Sequence, residues 1–322
     1  MPWKSPGFFS AVPSQLSREA LIERLHAMQD RATGLFHETG VPQLINWPKI
    51  RALRDHRSLY NVLAVGYALE ILGSAPQHPV RAVAMLDARD LTARLDQLPW
   101  TTHAWHGGDW IDCVCTAFYL NARHFQLKAP LEALFGWLLL NVDPLTGLWG
   151  RPTPQERRLQ PVNGFYRLTR GSYAQFGIDV PRPLDAIDSV LSHSRDTGFF
   201  REDCGTACNV LDVIHPLWLC LRQTNHRRDE AERWAAAQVR RIVAGWQPEA
   251  GFSFELQTAC APSLQGTEMW LSILWLAADL IGISEHLGYQ PRGVHRPEVA
   301  LPLANGRPTR EAADSMGRGQ AV

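Results

Sequence analysis

Apolar residues recur at three- and four-residue spacing along most of the chain, and strict alternation is scarce. Between Ser14 and Arg31 they fall at Leu16, Ala20, Leu21, Leu25 and Met28, with Ser14 and Ser17 as candidate N-caps. Segments of the same kind follow at about 57–73, 79–97, 110–126, 128–142, 183–194, 217–224, 228–246 and 265–283. The pattern predicts an all-α protein of ten to twelve helices.

Four breaks share a signature: Arg31-Ala-Thr-Gly34-Leu35, Asp143-Pro-Leu-Thr-Gly147-Leu148, Asp196-Thr-Gly198-Phe199 and Pro248-Glu-Ala-Gly251-Phe252. Each sets a Gly, suited to positive φ at a helix end, before a large apolar residue. A polar stretch and another helix follow, at an irregular period of about 50 residues or more. Helical hairpins around a common axis are the expectation. The stretch Arg151–Pro161 reads as a long loop. Gly288 closes the expected single domain, 1–288, and the Pro- and Gly-rich tail 289–322 is expected to be extended, or disordered beyond about Ala304.

Composition narrows the function. With 32 basic and 32 acidic residues the net charge is zero, so no field steers the chain onto nucleic acid or an anionic membrane. Only three of the basic residues are Lys, and the Arg are not gathered into patches. The longest apolar run, Met269–Ile283, is interrupted by Asp279, so no membrane span is expected. The first twelve residues lack a secretory signal, which points to the cytoplasm and reduced cysteines. No Cys-x-x-Cys, phosphate loop or dinucleotide fingerprint occurs, so neither a metal nor a cofactor is expected.

Three helix starts are unusually polar: His106-Gly-Gly-Asp109-Trp110-Ile-Asp112-Cys113, Cys208-Asn209-Val-Leu-Asp212-Val-Ile-His215-Pro216, and Ser263-Leu-Gln-Gly-Thr267-Glu268-Met-Trp270. The third, with Gly251-Phe252 before it, resembles the terpenoid cyclase and protein prenyltransferase superfamily, over about residues 15–285. That resemblance implies an α/α toroid whose inner helices ring a central apolar cavity. The family's Asp-x-Asp-Asp acid is not carried over, because Ile111 and Leu211 stand at its middle position. Its Asp-x-Cys zinc pair is not matched either, since Asp112 and Cys113 are adjacent. The turn at 143–149 is similar to one in the six-hairpin glycosidases.

The candidate catalytic residues are Asp109, Asp112, Asp212, His215 and Glu268. Asp109 and Asp112 share a helix face at i, i+3; they either face a cavity as desolvated acids or close the helix as a capping box. Asp212 and His215 form an acid/base pair if one helix carries both, whereas Pro216 predicts a helix beginning after them. Glu268, if buried, needs a partner, with His106 and His215 as candidates. His106, Trp105, Trp110, Trp149, Tyr173, Trp218 and Trp270 are the candidate substrate contacts, although most Trp in a helical protein are core. Asn163, Tyr166, Arg167, Arg170 and Tyr173 form a polar–aromatic cluster that otherwise reads as a solvated loop feeding a short helix. The expected function is metal-independent acid/base catalysis on a hydrophobic, terpenoid or polycyclic small molecule. A carbohydrate hydrolase or lyase and a non-catalytic scaffold are the alternatives.

Overall fold

The structure, a computed structural model, describes residues 17–37, 56–200, 205–257 and 259–303. Among them are eleven α-helices and no strand. They are α1 (Arg18–His26), α2 (His56–Ile71), α3 (Arg81–Ala84), α4 (Ala88–Asp96), α5 (Ala104–Phe125) and α6 (Leu131–Asn141). Then come α7 (Leu159–Thr169), α8 (Pro183–Ser194), α9 (Ala207–Cys220), α10 (Arg228–Ala244) and α11 (Leu264–Leu280). The all-α expectation holds. Ser17 caps α1, its hydroxyl accepting from the Ala20 amide, while Ser14 lies outside the described residues. The single helix expected over 79–97 is divided, because Asp87 caps a fresh start by accepting from the Asp90 amide at 2.7 Å.

The helices differ in how much of each is buried. On α4, α6 and α10 the buried residues form narrow stripes at helical spacing: Leu91 and Leu95, Leu134 and Leu138, and Ala231, Ala235 and Ile242. By contrast α5 is buried continuously from Gly107 to Asn121, and α9 and α11 are buried over most of their length. A helix covered on all sides belongs to the interior. The inner helices pack in succession, α2 on α5, α5 on α7, α7 on α9 and α9 on α11.

Gly34, Gly147 and Gly251 take positive φ, as their turns require, and Gly198 does not. Two of these turns have the same wiring. In each, an Asp accepts the Thr amide on its carboxylate and the Gly amide on its carbonyl, at Asp30/Thr33/Gly34 and at Asp143/Thr146/Gly147. Leu35, Leu148 and Phe252, the residues after the glycines, are buried.

The boundary at Gly288 is not a break in packing. Residues 289–303 lie on the helical body, with Ala300 and Leu301 donating backbone hydrogen bonds to the Gln175 carbonyl. The short turn Gly293–His295 packs on α2, and His295 is buried. Proline and glycine content suggested a loose tail, but His295 and Arg296 carry specific contacts that composition does not show. The tail from 304 to 322 lies outside the described residues. No described helix is long and apolar enough to cross a membrane.

Candidate functional site

The closest helix pair sets the site. α5 and α7 meet through glycine: a Cβ on Gly108 would lie 2.1 Å from the Gly164 carbonyl oxygen, and one on Gly171 would lie 2.5 Å from the Asp112 Cα. This approach places two i, i+3 pairs face to face, Asp109 and Asp112 on α5 against Arg167 on α7 and Arg170 at its end. Arg167 pairs with Asp109 and lies 3.1 Å from Asp112 through Nε. Arg170 grips Asp112 with two nitrogens, one of them Nε at 3.1 Å, and donates to the Val294 carbonyl at 3.2 Å. Arg170 opens a π-helical turn, Arg170–Ala174, continuous with α7.

These findings correct the capping reading of the two acids. α5 begins at Ala104, so Asp109 and Asp112 sit one to two turns inside it, and both are fully buried. The Arg151–Pro161 loop is also shorter than expected. α7 starts at Leu159 with Pro161 in its first turn, a position that tolerates proline, and the polar–aromatic cluster is a buried helix.

On α9 the prediction from Pro216 is overturned. The helix starts at Ala207, capped by Thr206, and runs through Pro216, so Asp212 and His215 share a helix face. Pro216 has no N–H to give to the carbonyl four residues back, which is that of Asp212. Both side chains are buried, with 4% exposure each. Among the described residues neither makes a side-chain hydrogen bond. His215 instead meets the edge of Tyr166 (5.1 Å between centroids) and the Trp218 ring (5.8 Å). Burial pushes the Asp212 carboxyl well above the ordinary carboxylate range, against the pull of the Arg167 charge. Burial, with Arg170, His295 and Arg222 adding to it, pushes His215 down to about 3. Burial thus favours the protonated acid on Asp212 and the neutral imidazole on His215. Cys208, one turn earlier, is pushed up to about 12 by burial and by Asp212.

Glu268 lies in the second turn of α11, whose start is capped by Ser263. Its partner is neither His106 nor His215. The Glu268 carboxylate meets His295 Nδ1 at 2.7 Å and accepts from the Ser272 hydroxyl at 3.4 Å. A carboxylate only accepts, so Nδ1 carries the proton. Nε2 lies 3.0 Å from the Tyr166 hydroxyl, accepting from it when the ring is neutral and donating to it when the ring is charged. Burial acts to raise Glu268, but the charge and hydrogen bond of His295 outweigh it and hold the carboxyl below its ordinary value. The chain Glu268–His295–Tyr166 thus ends against His215.

The predicted aromatic contacts divide. Trp218 joins the site and donates its indole N–H to Asp279 at 2.8 Å. Trp149 and Trp270 are core, their N–H groups satisfied by the Leu138 carbonyl and by those of Ser253 and Phe254. Tyr173 stacks on Trp149 and meets Phe135 edge-on inside the same packing. Trp110 is buried beside Arg94, 5.7 Å from its guanidinium. Trp105 and His106 are exposed and lie against one another, 5.2 Å apart.

Sequence reasoning placed Arg167 and Arg170 in a cluster of residue types that polysaccharide-processing toroids use, not as partners of the two acids, and His295 was missed. The i, i+3 spacing of the two arginines, matching that of the acids, was the available signal; nothing in the sequence singled out His295. Among the described residues, no three His, Cys, Asp or Glu side chains are placed to hold a metal ion. Comparisons with protein-family models, curated proteins and solved structures give no match.

Proposed function

We propose that the protein is an acid/base enzyme whose chemistry runs on its own side chains, acting on a small hydrophobic molecule of terpenoid or polycyclic type. The observation that carries this reading is the Asp212–His215 pair. Both side chains are buried, no side-chain hydrogen bond reaches either among the described residues, and His215 Nδ1 is wholly closed off, an arrangement that costs the fold about 1–3 kcal/mol for the unsatisfied atom. A scaffold protein would be expected to pair all five predicted acid/base groups, and three of them are paired.

In this reading Asp212 is the proton donor to an alkene, epoxide or carbonyl, because burial favours its protonated form. Neutral His215 takes the proton that leaves, and Glu268–His295 orients the Tyr166 hydroxyl beside it. The rings of Tyr166 and Trp218 flank His215 and would shield a developing cation. Asp109 and Asp112 are assigned to holding Arg167 and Arg170. An α/α toroid suits the packing order of the inner helices, with Gly293–His295 bridging α2 and α11. Asp109, Asp212 and Glu268 all fall within the first two turns of inner helices, where a toroid opens.

The test is turnover of isoprenoid and polycyclic pools followed by mass spectrometry. Asp212→Asn should lower the rate about 10²–10⁴-fold, the range for losing a positioned acid. Full activity in that variant overturns the assignment. A polysaccharide lyase is the second reading, favoured by the Tyr166–His295 hydrogen bond, a tyrosine whose proton has an acceptor. It would release unsaturated sugar ends from an oligosaccharide pool and would depend on Tyr166 more than on Asp212.

A further inference from the structure

A second site lies away from the α9 pair, where the C-terminal ends of α4 and α6 meet the turn 143–151. It is an open groove of about 420 Å³, within the range of small-molecule sites. Trp100 and Trp137 form one wall, their ring centroids 5.6 Å apart and their planes inclined by 31°. Both are only partly covered. Their N–H groups are already used, Trp137 donating to the Asp96 carboxylate at 2.7 Å and Trp100 to the Leu95 carbonyl at 2.8 Å. Trp100 is also seated on Gly107, where a Cβ would come within 2.7 Å of the ring. The two indoles are therefore fixed, and what they leave to a ligand is the ring surface not turned toward one another, not their N–H groups.

The rim is polar. Asn141 donates to the Trp137 carbonyl at 2.9 Å, which fixes its amide and leaves the amide oxygen as an acceptor. Asp96 keeps a second carboxylate oxygen, and the exposed Arg151 brings a guanidinium. Leu140, 84% exposed, adds an apolar edge. A purely apolar ligand would strip water from these polar groups without replacing it. An anion would meet Asp96 and Asp143, and a cation would meet Arg151. A pyranose ring avoids these conflicts, because it is uncharged, presents a C–H face to an indole and carries hydroxyls around its edge.

We propose that this groove is a carbohydrate-binding site that takes a neutral pyranose, or the short chain to which it belongs, on the faces of Trp100 and Trp137. The inference does not depend on the chemistry assigned to Asp212. Titration calorimetry and saturation-transfer NMR of the full chain with cello-, malto-, xylo- and chito-tetraose test it. At least one should bind saturably. Trp137→Ala should weaken that binding about tenfold or more, the loss expected of a central aromatic contact. Trp137→Tyr, which keeps a ring if the alanine variant misfolds, should keep part of the affinity. Arg151→Ala and Asn141→Ala, on the rim, should weaken it several-fold, and Asp212→Asn should leave it unchanged. Binding of none of the four sugars, binding indifferent to Trp137, binding lost in Asp212→Asn, or binding of tetramethylammonium in their place would each overturn the proposal.

Discussion

Two i, i+3 pairs of titratable residues in this protein look alike in sequence and differ in what surrounds them. Asp109 and Asp112 on α5 are met by Arg167 and Arg170, and each carboxylate has a guanidinium. Asp212 and His215 on α9 have the same i, i+3 spacing, yet no hydrogen bond reaches either side chain among the described residues, and His215 meets rings instead. The first pair is neutralised and holds two helices together. The second is desolvated and pushed out of its ordinary titration range. An i, i+3 acid motif is therefore neutral evidence about chemistry. Whether a counter-ion arrives from another helix decides its role.

The largest effect should come from breaking the paired side. Asp112 is wholly buried, so Arg170→Ala leaves a charge with half its compensation gone. A destabilisation of about 3–5 kcal/mol is expected in denaturant unfolding, the range for removing one partner of a buried pair. Arg170→Lys should not restore it, because an ammonium cannot reproduce the two-nitrogen grip. The double variant Arg170→Met/Asp112→Leu should recover most of the loss, since no charge is then left stranded. A loss below about 1 kcal/mol in Arg170→Ala would mean that Arg167 alone neutralises both acids.

How much of this contrast was legible beforehand depends on sequence distance. α8 was read to the residue, and the start of α11 was placed within one residue. The first half of α9 was lost to Pro216, because a proline inside a helix is rarer than one at its start, and α7 was lost to Pro161 and the charges before it. The five titratable candidates were picked because acids in ring-rich segments stand out, and the structure places all but Glu268 in the buried interior. Their partners were not found. Arg167 lies 58 residues from Asp109, and His295 lies 27 residues from Glu268, beyond the boundary drawn at Gly288. Local periodicity carries no information about contacts at that range, and the glycine contacts that bring α5 onto α7 are visible only in three dimensions.

A change of pH sharpens the comparison from the other side. Burial pushes His215 down to about 3 and His193, packed against Phe199 and Phe200, down to about 4. Unfolded, both imidazoles take up protons near 6.5, so between pH 4.5 and 6.5 the unfolded chain binds more protons at these sites. Their contribution is fully present above 6.5 and is lost as pH falls. Asp212 has the opposite sign: its raised pKa keeps a proton in the fold that the unfolded chain has released, so its contribution shrinks as pH rises. Two imidazoles outnumber the one carboxyl, so stability should fall on acidification through this window. Replacing both histidines, as in His193→Phe/His215→Gln, leaves Asp212 alone and should invert the slope. Unfolding midpoints that stay flat in the parent protein across this window would refute the assignment of neutral histidines.

The smallest effect on stability should come from the residue with the largest effect on turnover. Asp212→Asn keeps the shape of the side chain and removes the group that can ionise. If Asp212 is an unpaired acid, the fold loses no ion pair, and its stability at neutral pH should change by no more than about 1 kcal/mol, toward stabilisation. Asp112→Asn, by comparison, leaves the buried Arg170 facing an amide and should cost several times as much. The comparison fails if Asp212→Asn destabilises the protein as strongly as Arg170→Ala does. Asp212 would then be a third carboxylate serving the Arg167 charge, and the site on α9 would join the α5–α7 cluster as one structural network. Stability held constant while turnover collapses is the outcome that separates a buried acid kept for chemistry from one kept for folding.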